Sequence, residues 1–219
     1  MSQMILVRHG QANTGARDEE SYDRLSDLGH QQARWLGDFL RDSGAHFTRV
    51  YCGDMRRHQE TAKGIGTDPY GPLQIDARLN EFPYFSLAQA YERQTGTPVP
   101  TDREGFARQL QEVLTAWSRD ELEDVSERFS DFAERIDAVI KDIATGDGPA
   151  LVITSGGLIS TVLRGTLDLK NAAWAQMCLA IYNTSLHHWQ PFMGTQLLTQ
   201  FNATPHLERT DRRHALTHL

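Results

Sequence analysis

The stretch Met4-Ile5-Leu6-Val7-Arg8-His9-Gly10 sets four apolar residues directly before an arginine, a histidine and a glycine. A run this short and continuously apolar reads as a strand buried on both faces, its carboxyl end opening into a loop. Residues 50–52 and 73–75 are further strand candidates, and residues 151–154 repeat the apolar run before Ser155-Gly156-Gly157. Between the strands the periodicity turns helical. Ser26 is placed to cap a helix on which Leu28, Trp35, Leu36, Phe39 and Leu40 recur at helical spacing. Asp54 is placed to cap a second helix, with Arg57 in its first turn and Ala62 and Ile65 on its buried side. Helices are also expected over residues 158–167 and 172–181, then closing strands over 186–189 and 196–201 with a turn at Pro191 and Gly194. Strands alternating with helices give an α/β, three-layer sandwich, a mainly parallel sheet flanked by helices on both faces.

At 219 residues and 39% hydrophobic content, the chain has enough apolar material for one core. The expectation is a single domain over 1–219 with a helical insertion at about 86–144. In that insertion Thr101 and Glu104 have capping-box spacing. Phe106, Leu110, Val113, Leu114 and Trp117 form one apolar stripe, and Phe129, Phe132, Ile136, Val139, Ile140 and Ile143 another. Both read as core without chemistry.

The formal charge of −7 argues against nonspecific nucleic-acid binding, which needs many cations to displace counterions from phosphates. Cys52 and Cys178 stand far apart and outside metal-ligand spacing, which argues against a disulfide framework or a zinc site. No stretch approaches the length of a membrane span and no cationic leader opens the chain, so the expected location is the cytoplasm. No cofactor is expected, and the oligomeric state is open. His214 and His218 have helical metal-pair spacing, but no glutamate follows His214; a solvated or strand-like tail is the expectation.

In a parallel sheet the loops leaving the carboxyl ends of strands meet at one edge. Arg8 and His9, Glu81 in Arg78-Leu79-Asn80-Glu81, and Ser155-Gly156-Gly157 all follow strands, while Arg57 lies one turn into a helix that follows another. These side chains suit phosphoryl transfer, which needs an in-line nucleophile, positive charge around the spectator oxygens, and an acid for the leaving alcohol. His9 supplies the nucleophile and Arg8 with Arg57 the forked, permanently charged donors. Glu81 supplies the proton, provided burial raises its pKa. Gln11 and Asn13 are candidates to line the pocket.

With these residues in order, the chain resembles the histidine phosphatase superfamily, in its phosphoglycerate mutase-like branch. Arg8-His9-Gly10 matches the signature of that family. Asp23, Leu25-Ser26, Leu28-Gly29 and Gln32-Ala33 match its next segment, and Asp54-Met55, Arg57 and Thr61-Ala62 the block with its second arginine. Leu79 and Glu81 match the acid segment, and Asn183 the approach to the late strand. The resemblance implies a phosphohistidine on His9, no metal, and phosphatase or mutase action on a small phosphorylated substrate.

Two positions depart from the pattern. Gly53 stands where the family often has serine, and Ser155 stands where it has a second histidine that touches the phosphoryl group. Ser155 and the amides near Gly156 can donate to an anion, but a serine offers no cation. Losing one well-placed donor costs about 3 kcal/mol of barrier. Strand alternation lets only one of His187 and His188 face inward to compensate. The expectation is therefore a slowed phosphatase in which Ser155→His raises turnover. A weakened protein that binds a phosphorylated ligand and acts by occupancy, or a mutase, are the rivals. The absence of basic residues in Phe82-Pro83-Tyr84 favours hydrolysis over mutase action. A serine hydrolase using Ser155 is disfavoured because Ile153 fills the place of the first glycine of a nucleophile elbow.

Overall fold

A computed structural model describes residues 1–16 and 18–218. Six strands form one sheet: β1 (Met4–Arg8), β2 (Arg49–Cys52), β3 (Leu73–Ile75), β4 (Ala150–Thr154), β5 (Leu186–Phe192) and β6 (Thr195–Ala203), in the order β3-β2-β4-β1-β5-β6. The pairs β1–β4, β2–β4 and β2–β3 run parallel, and β5 and β6 close the sheet antiparallel. The central strands β1 and β4 are buried at every residue, as a run apolar on both faces requires.

Alternation along these strands divides the core. Ile5, Val7, Leu151 and Ile153 face helices α2 (Asp27–Asp42) and α3 (Arg56–Ile65), where Leu36, Leu40, Ala62 and Ile65 meet them. Met4, Leu6, Ala150 and Val152 face the opposite layer, built from α5 (Arg103–Ser118), α6 (Phe129–Thr145), α7 (Gly156–Leu167) and α8 (Asn171–Ala180). The three-layer reading therefore holds. The two apolar stripes of α5 and α6 are core: Val113, Leu114, Trp117, Phe132, Ile136 and Val139 are all buried. Together with α4 (Tyr84–Thr95), α5 follows the loop that carries Glu81.

The caps hold in part. Ser26 caps α2, its Oγ accepting from the Gly29 N–H at 3.0 Å. Asp54 does not cap α3; its carboxylate takes a hydrogen bond from Asn80 Nδ2, and Asp23, from a separate loop, accepts from the first amides of α3. On α5 the cap is Asp102, one residue past Thr101, with its carboxylate accepting from Gly105 N–H at 2.8 Å. The β5–β6 turn is tighter than expected: Pro191 lies within β5, and Met193 and Gly194, both at positive φ, make the bend. The terminal segment is not a strand, and it is solvated only in part: residues 208–211, Arg213 and His214 are exposed, while Ala215 is buried. It folds as a 3-10 turn over Thr210–Ala215 and docks, Gln32 Nε2 donating to the Ala215 carbonyl at 2.7 Å and Asn183 N–H to the Thr217 carbonyl at 2.8 Å. Among the described residues, no helix is long and apolar enough to cross a membrane.

Candidate active site

The ends of β1 and β4 lie side by side, and the His9 N–H donates to the Thr154 carbonyl at 2.8 Å. His9 is buried at the base of this edge, and its Nδ1 lies 2.7 Å from the Gly10 carbonyl oxygen. A carbonyl only accepts, so Nδ1 carries the proton and Nε2 keeps its lone pair. Burial first, then the Arg57 and Arg8 guanidinium groups, hold the imidazole pKa well below its ordinary value of 6.5, so the ring is neutral at pH 7. Thr61 fixes the loop from α3. Its hydroxyl accepts from the Gly10 N–H at 3.0 Å and donates to the Arg57 carbonyl at 2.7 Å.

Arg8 and Arg57 are both buried. Arg8 Nη1 is tied to the Ile181 carbonyl and, at 2.8 Å, to the His218 carbonyl of the docked terminal segment. Arg57 Nη1 pairs with Asp23 Oδ1 at 3.0 Å, and its guanidinium lies 5.1 Å from the Tyr22 ring centre. Each arginine nevertheless keeps a buried Nε–H with no hydrogen-bond partner. Both residues also open onto one cavity, and two cations beside a neutral imidazole suit an anion there.

Glu81 closes the other side. Its Oε2 accepts from the Gly157 N–H at 2.9 Å and its Oε1 from the Phe82 N–H at 3.1 Å. Burial raises its pKa, outweighing those two hydrogen bonds and the pull of Arg57 and Arg8. Gly157 is required by this approach, since a Cβ there would fall 2.2 Å from Glu81 Oε1 and 2.1 Å from Phe82 Cε1. Above lies a cavity of about 430 Å³, onto which Arg8, Arg57, Glu81, Gln11, Asn13, Gly156 and the aromatic side chains of Tyr22, Phe82, Tyr84, Phe85 and Phe106 open. Gln11 and Asn13 are present at the wall but already engaged: Gln11 Oε1 accepts from Ser26 Oγ at 2.8 Å and Asn13 Nδ2 donates to the Ser21 carbonyl at 2.9 Å.

Four residues near the site escaped the sequence reading in whole or part. Glu19 opens onto the cavity with a pKa raised chiefly by burial. Asp23 matched a motif without a role, and its role is to grip Arg57. His218 lines the cavity instead of floating in a tail. The fourth is His58, fully buried on α3, with its ring centre 5.6 Å from that of His9 and its Nε2 2.6 Å from Ser155 Oγ. Neither His187 nor His188 is at the cavity wall; His187 Nε2 is engaged by Ser185 Oγ at 2.9 Å, away from Ser155. Ser155 itself is fully buried and leaves the wall to Gly156. A Ser–His contact invites comparison with a nucleophile and its base, but the serine is closed off and His58 Nδ1 has no acceptor to orient it.

Comparison with known proteins is consistent with this geometry. The family model described as histidine phosphatase superfamily (branch 1) matches residues 4–204. A glucosyl-3-phosphoglycerate phosphatase from Mycolicibacterium vanbaalenii is 26% identical over 199 residues, covering 80% of this chain and 83% of that protein. A 2,3-bisphosphoglycerate-dependent phosphoglycerate mutase from Rhizobium etli is 27% identical over 180 residues, covering 75% of this chain and 80% of its own. In fold the chain is similar to the crystal structure of a phosphoserine phosphatase from Entamoeba histolytica in complex with 3-phosphoglyceric acid. That likeness has a TM-score of 0.69 at 19% identity, over 94% of this chain and all of the other.

Proposed function

The chain belongs to the histidine phosphatase superfamily, and on that premise we propose that it hydrolyses a small phosphomonoester through a phosphohistidine on His9. The observation that carries this reading is the pair of arginines, Arg8 and Arg57, that line one cavity beside an imidazole whose Nδ1 is already committed to Gly10. The substrate phosphate sits between the two guanidinium groups. His9 Nε2 attacks phosphorus in line, the P–O ester bond breaks, and the Glu81 carboxyl gives its proton to the departing alkoxide. Glu81, now a carboxylate, takes a proton from water as the water oxygen attacks phosphorus. The P–N bond breaks, inorganic phosphate leaves, and His9 and Glu81 return to their starting states. The amides at the start of α7 near Gly156 lend further donors to the anion, while Gln11 and Asn13 border the binding site and Ser155 supports it from behind the wall.

Hydrolysis is preferred to mutase action because the described cavity wall beyond the arginines is largely aromatic, at Phe82, Tyr84, Phe85 and Phe106. That surface suits an alcohol with an apolar part better than a second anionic group. The helical segment at about 86–144 is read as an insertion of a single domain that roofs the substrate. The free thiols Cys52 and Cys178 are consistent with a reducing cytoplasm.

The test is phosphate release from p-nitrophenyl phosphate by the intact chain and by His9→Ala, with acid-labile phosphoenzyme trapped in a quench. Turnover and trapped phosphate that both vanish in His9→Ala support the enzyme. Equal rates in the two proteins would instead favour a protein that binds a phosphorylated ligand without turning it over.

A further inference from the structure

Both departures from the family pattern meet at one side chain. The His58 ring projects from α3 into the space between Gly53 and Ser155. A Cβ on Gly53 would lie 2.3 Å from His58 Nδ1 and 2.5 Å from Asn80 Oδ1, so the glycine makes room for the imidazole on one side. On the other side the small Ser155 makes room for it and binds it, Oγ to Nε2 at 2.6 Å. A serine at 53 or a histidine at 155 would occupy the volume the His58 ring now fills. Gly53 and Ser155 are thus one coordinated accommodation of His58 and not two separate losses.

We propose that His58, held by Ser155, is the second imidazole of this active site, supplied from α3 instead of from the β4–α7 loop. This rests on the reading of His9 as the phosphate carrier. The two rings stand 5.6 Å apart, centre to centre. Burial and the neighbouring Arg57 keep His58 neutral, so it carries one ring proton. Nδ1 is buried without a partner, and an orphaned N–H is the costlier orphan, which assigns the proton to Nε2 and makes it the donor to Ser155 Oγ. The serine hydrogen is then free to be donated onward. Ser155 is the cap residue of α7, next to Gly156, where a Cβ would lie 3.5 Å from the orphaned Arg8 Nε. Gly156 opens onto the cavity beside Arg8, so the Ser155 hydroxyl stands one residue behind the place assigned to the phosphoryl group, with His58 hydrogen-bonded to it in turn. His58 is therefore a positioning residue that acts through Ser155, and simple insertion of a histidine at 155 is no longer expected to help, because its ring would overlap that of His58.

The test is a set of variants assayed with p-nitrophenyl phosphate, each checked for its thermal midpoint. His58→Leu fills the volume without a donor and is expected to lower kcat about a hundredfold, with KM little changed. His58→Gln, which can still donate to Ser155, should recover part of the activity lost in His58→Leu. Ser155→His alone should gain nothing, whereas His58→Ala with Ser155→His should exceed His58→Ala by about tenfold or more, because the relocated ring now has room. Wild-type protein labelled with 15N-histidine covers the case in which variants fail to fold: saturating orthovanadate should shift the His58 Nε2 resonance. A folded His58→Leu with undiminished kcat, a double variant no better than His58→Ala, or a His58 resonance indifferent to orthovanadate would each overturn the proposal. Covalent labelling of Ser155 by an organophosphonate would do so too, by making the serine a nucleophile. Undiminished turnover in His9→Ala would instead overturn the phosphohistidine reading beneath it.

Discussion

Asp23 holds Arg57 at two points. One carboxylate oxygen accepts from the guanidinium at 3.0 Å and from the backbone N–H of the same residue at 3.2 Å, while the other accepts from the Arg56 N–H at 2.9 Å. A single side chain, reaching from a loop 34 residues earlier, thereby caps α3 and aims its buried cation. Asp23→Ala removes both functions. Loss of the cap should cost about 1 kcal/mol of stability, read as a lower denaturant midpoint. An Arg57 free to swing should raise KM for p-nitrophenyl phosphate about tenfold, a loss of about 1.4 kcal/mol of binding. An unchanged KM would show that Arg57 needs no such partner.

In the proposed mechanism His9 and Glu81 titrate in opposite senses. His9 must be unprotonated, and burial with Arg57 and Arg8 lowers its pKa, so activity rises with pH through a point well below 6.5. Glu81 must be protonated, and burial raises its pKa, so activity falls as pH climbs through that raised value. The expected kcat/KM profile is a bell whose acid limb belongs to His9 and whose alkaline limb belongs to Glu81. Glu81→Gln should abolish the alkaline limb and cost about a hundredfold or more on an alkyl phosphate, with a smaller loss on p-nitrophenyl phosphate, whose leaving group needs little help. Equal losses on both substrates would remove Glu81 from the role of acid.

Gly157→Ala introduces one methyl group into the contact between α7 and the acid loop. Because that carbon would sit 2.2 Å from Glu81 Oε1 and 2.1 Å from the Phe82 ring, the carboxyl must leave its place. Activity on an alkyl phosphate should fall to the level of Glu81→Gln, and the alkaline limb of the profile should move. An active Gly157→Ala would mean that the acid loop yields without cost.

Buried histidines also make stability depend on pH. His187 and His206 have pKa values lowered to about 3 by burial, against 6.5 in the open chain. Between pH 6.5 and 3 the unfolded chain binds these protons and the folded chain does not, so each contribution is fully present above pH 6.5 and is lost as pH falls. The slope is about 1.4 kcal/mol per pH unit for each histidine. Urea unfolding at pH 7.5 and 5.0 should show the drop, and His206→Gln should make it shallower. A His206→Gln slope equal to that of wild type would refute the assignment for His206.

Much of this molecule is visible in short-range patterns. The strand at β1, the cap at Ser26 and the stripes of α5 and α6 depend on residues two to four apart, and all stand where the periodicity puts them. Arg8, Arg57 and Glu81 meet at one cavity, with His9 buried beside the two arginines, because each lies at or soon after a strand end in a mainly parallel sheet, and chain order suffices to see that. The cap of α3 was misread for the opposite reason. Asp54 has the local position for it, but Asp23 arrives from a distant loop and takes the amides, while Asp54 turns to Asn80. The terminal segment offered no local signal at all, since it docks through hydrogen bonds to distant residues such as Arg8, Gln32 and Asn183.

The sequence by itself determined the layered fold, the faces of its strands and the four pieces of the proposed phosphate-binding edge, because those follow from local periodicity and from chain order. Only the tertiary structure decided which imidazole stands beside His9. His58 and Ser155 lie 97 residues apart, on a helix and at a strand end. No spacing rule connects them, and they become neighbours only when α3 packs against β4 and Gly53 leaves the ring its space.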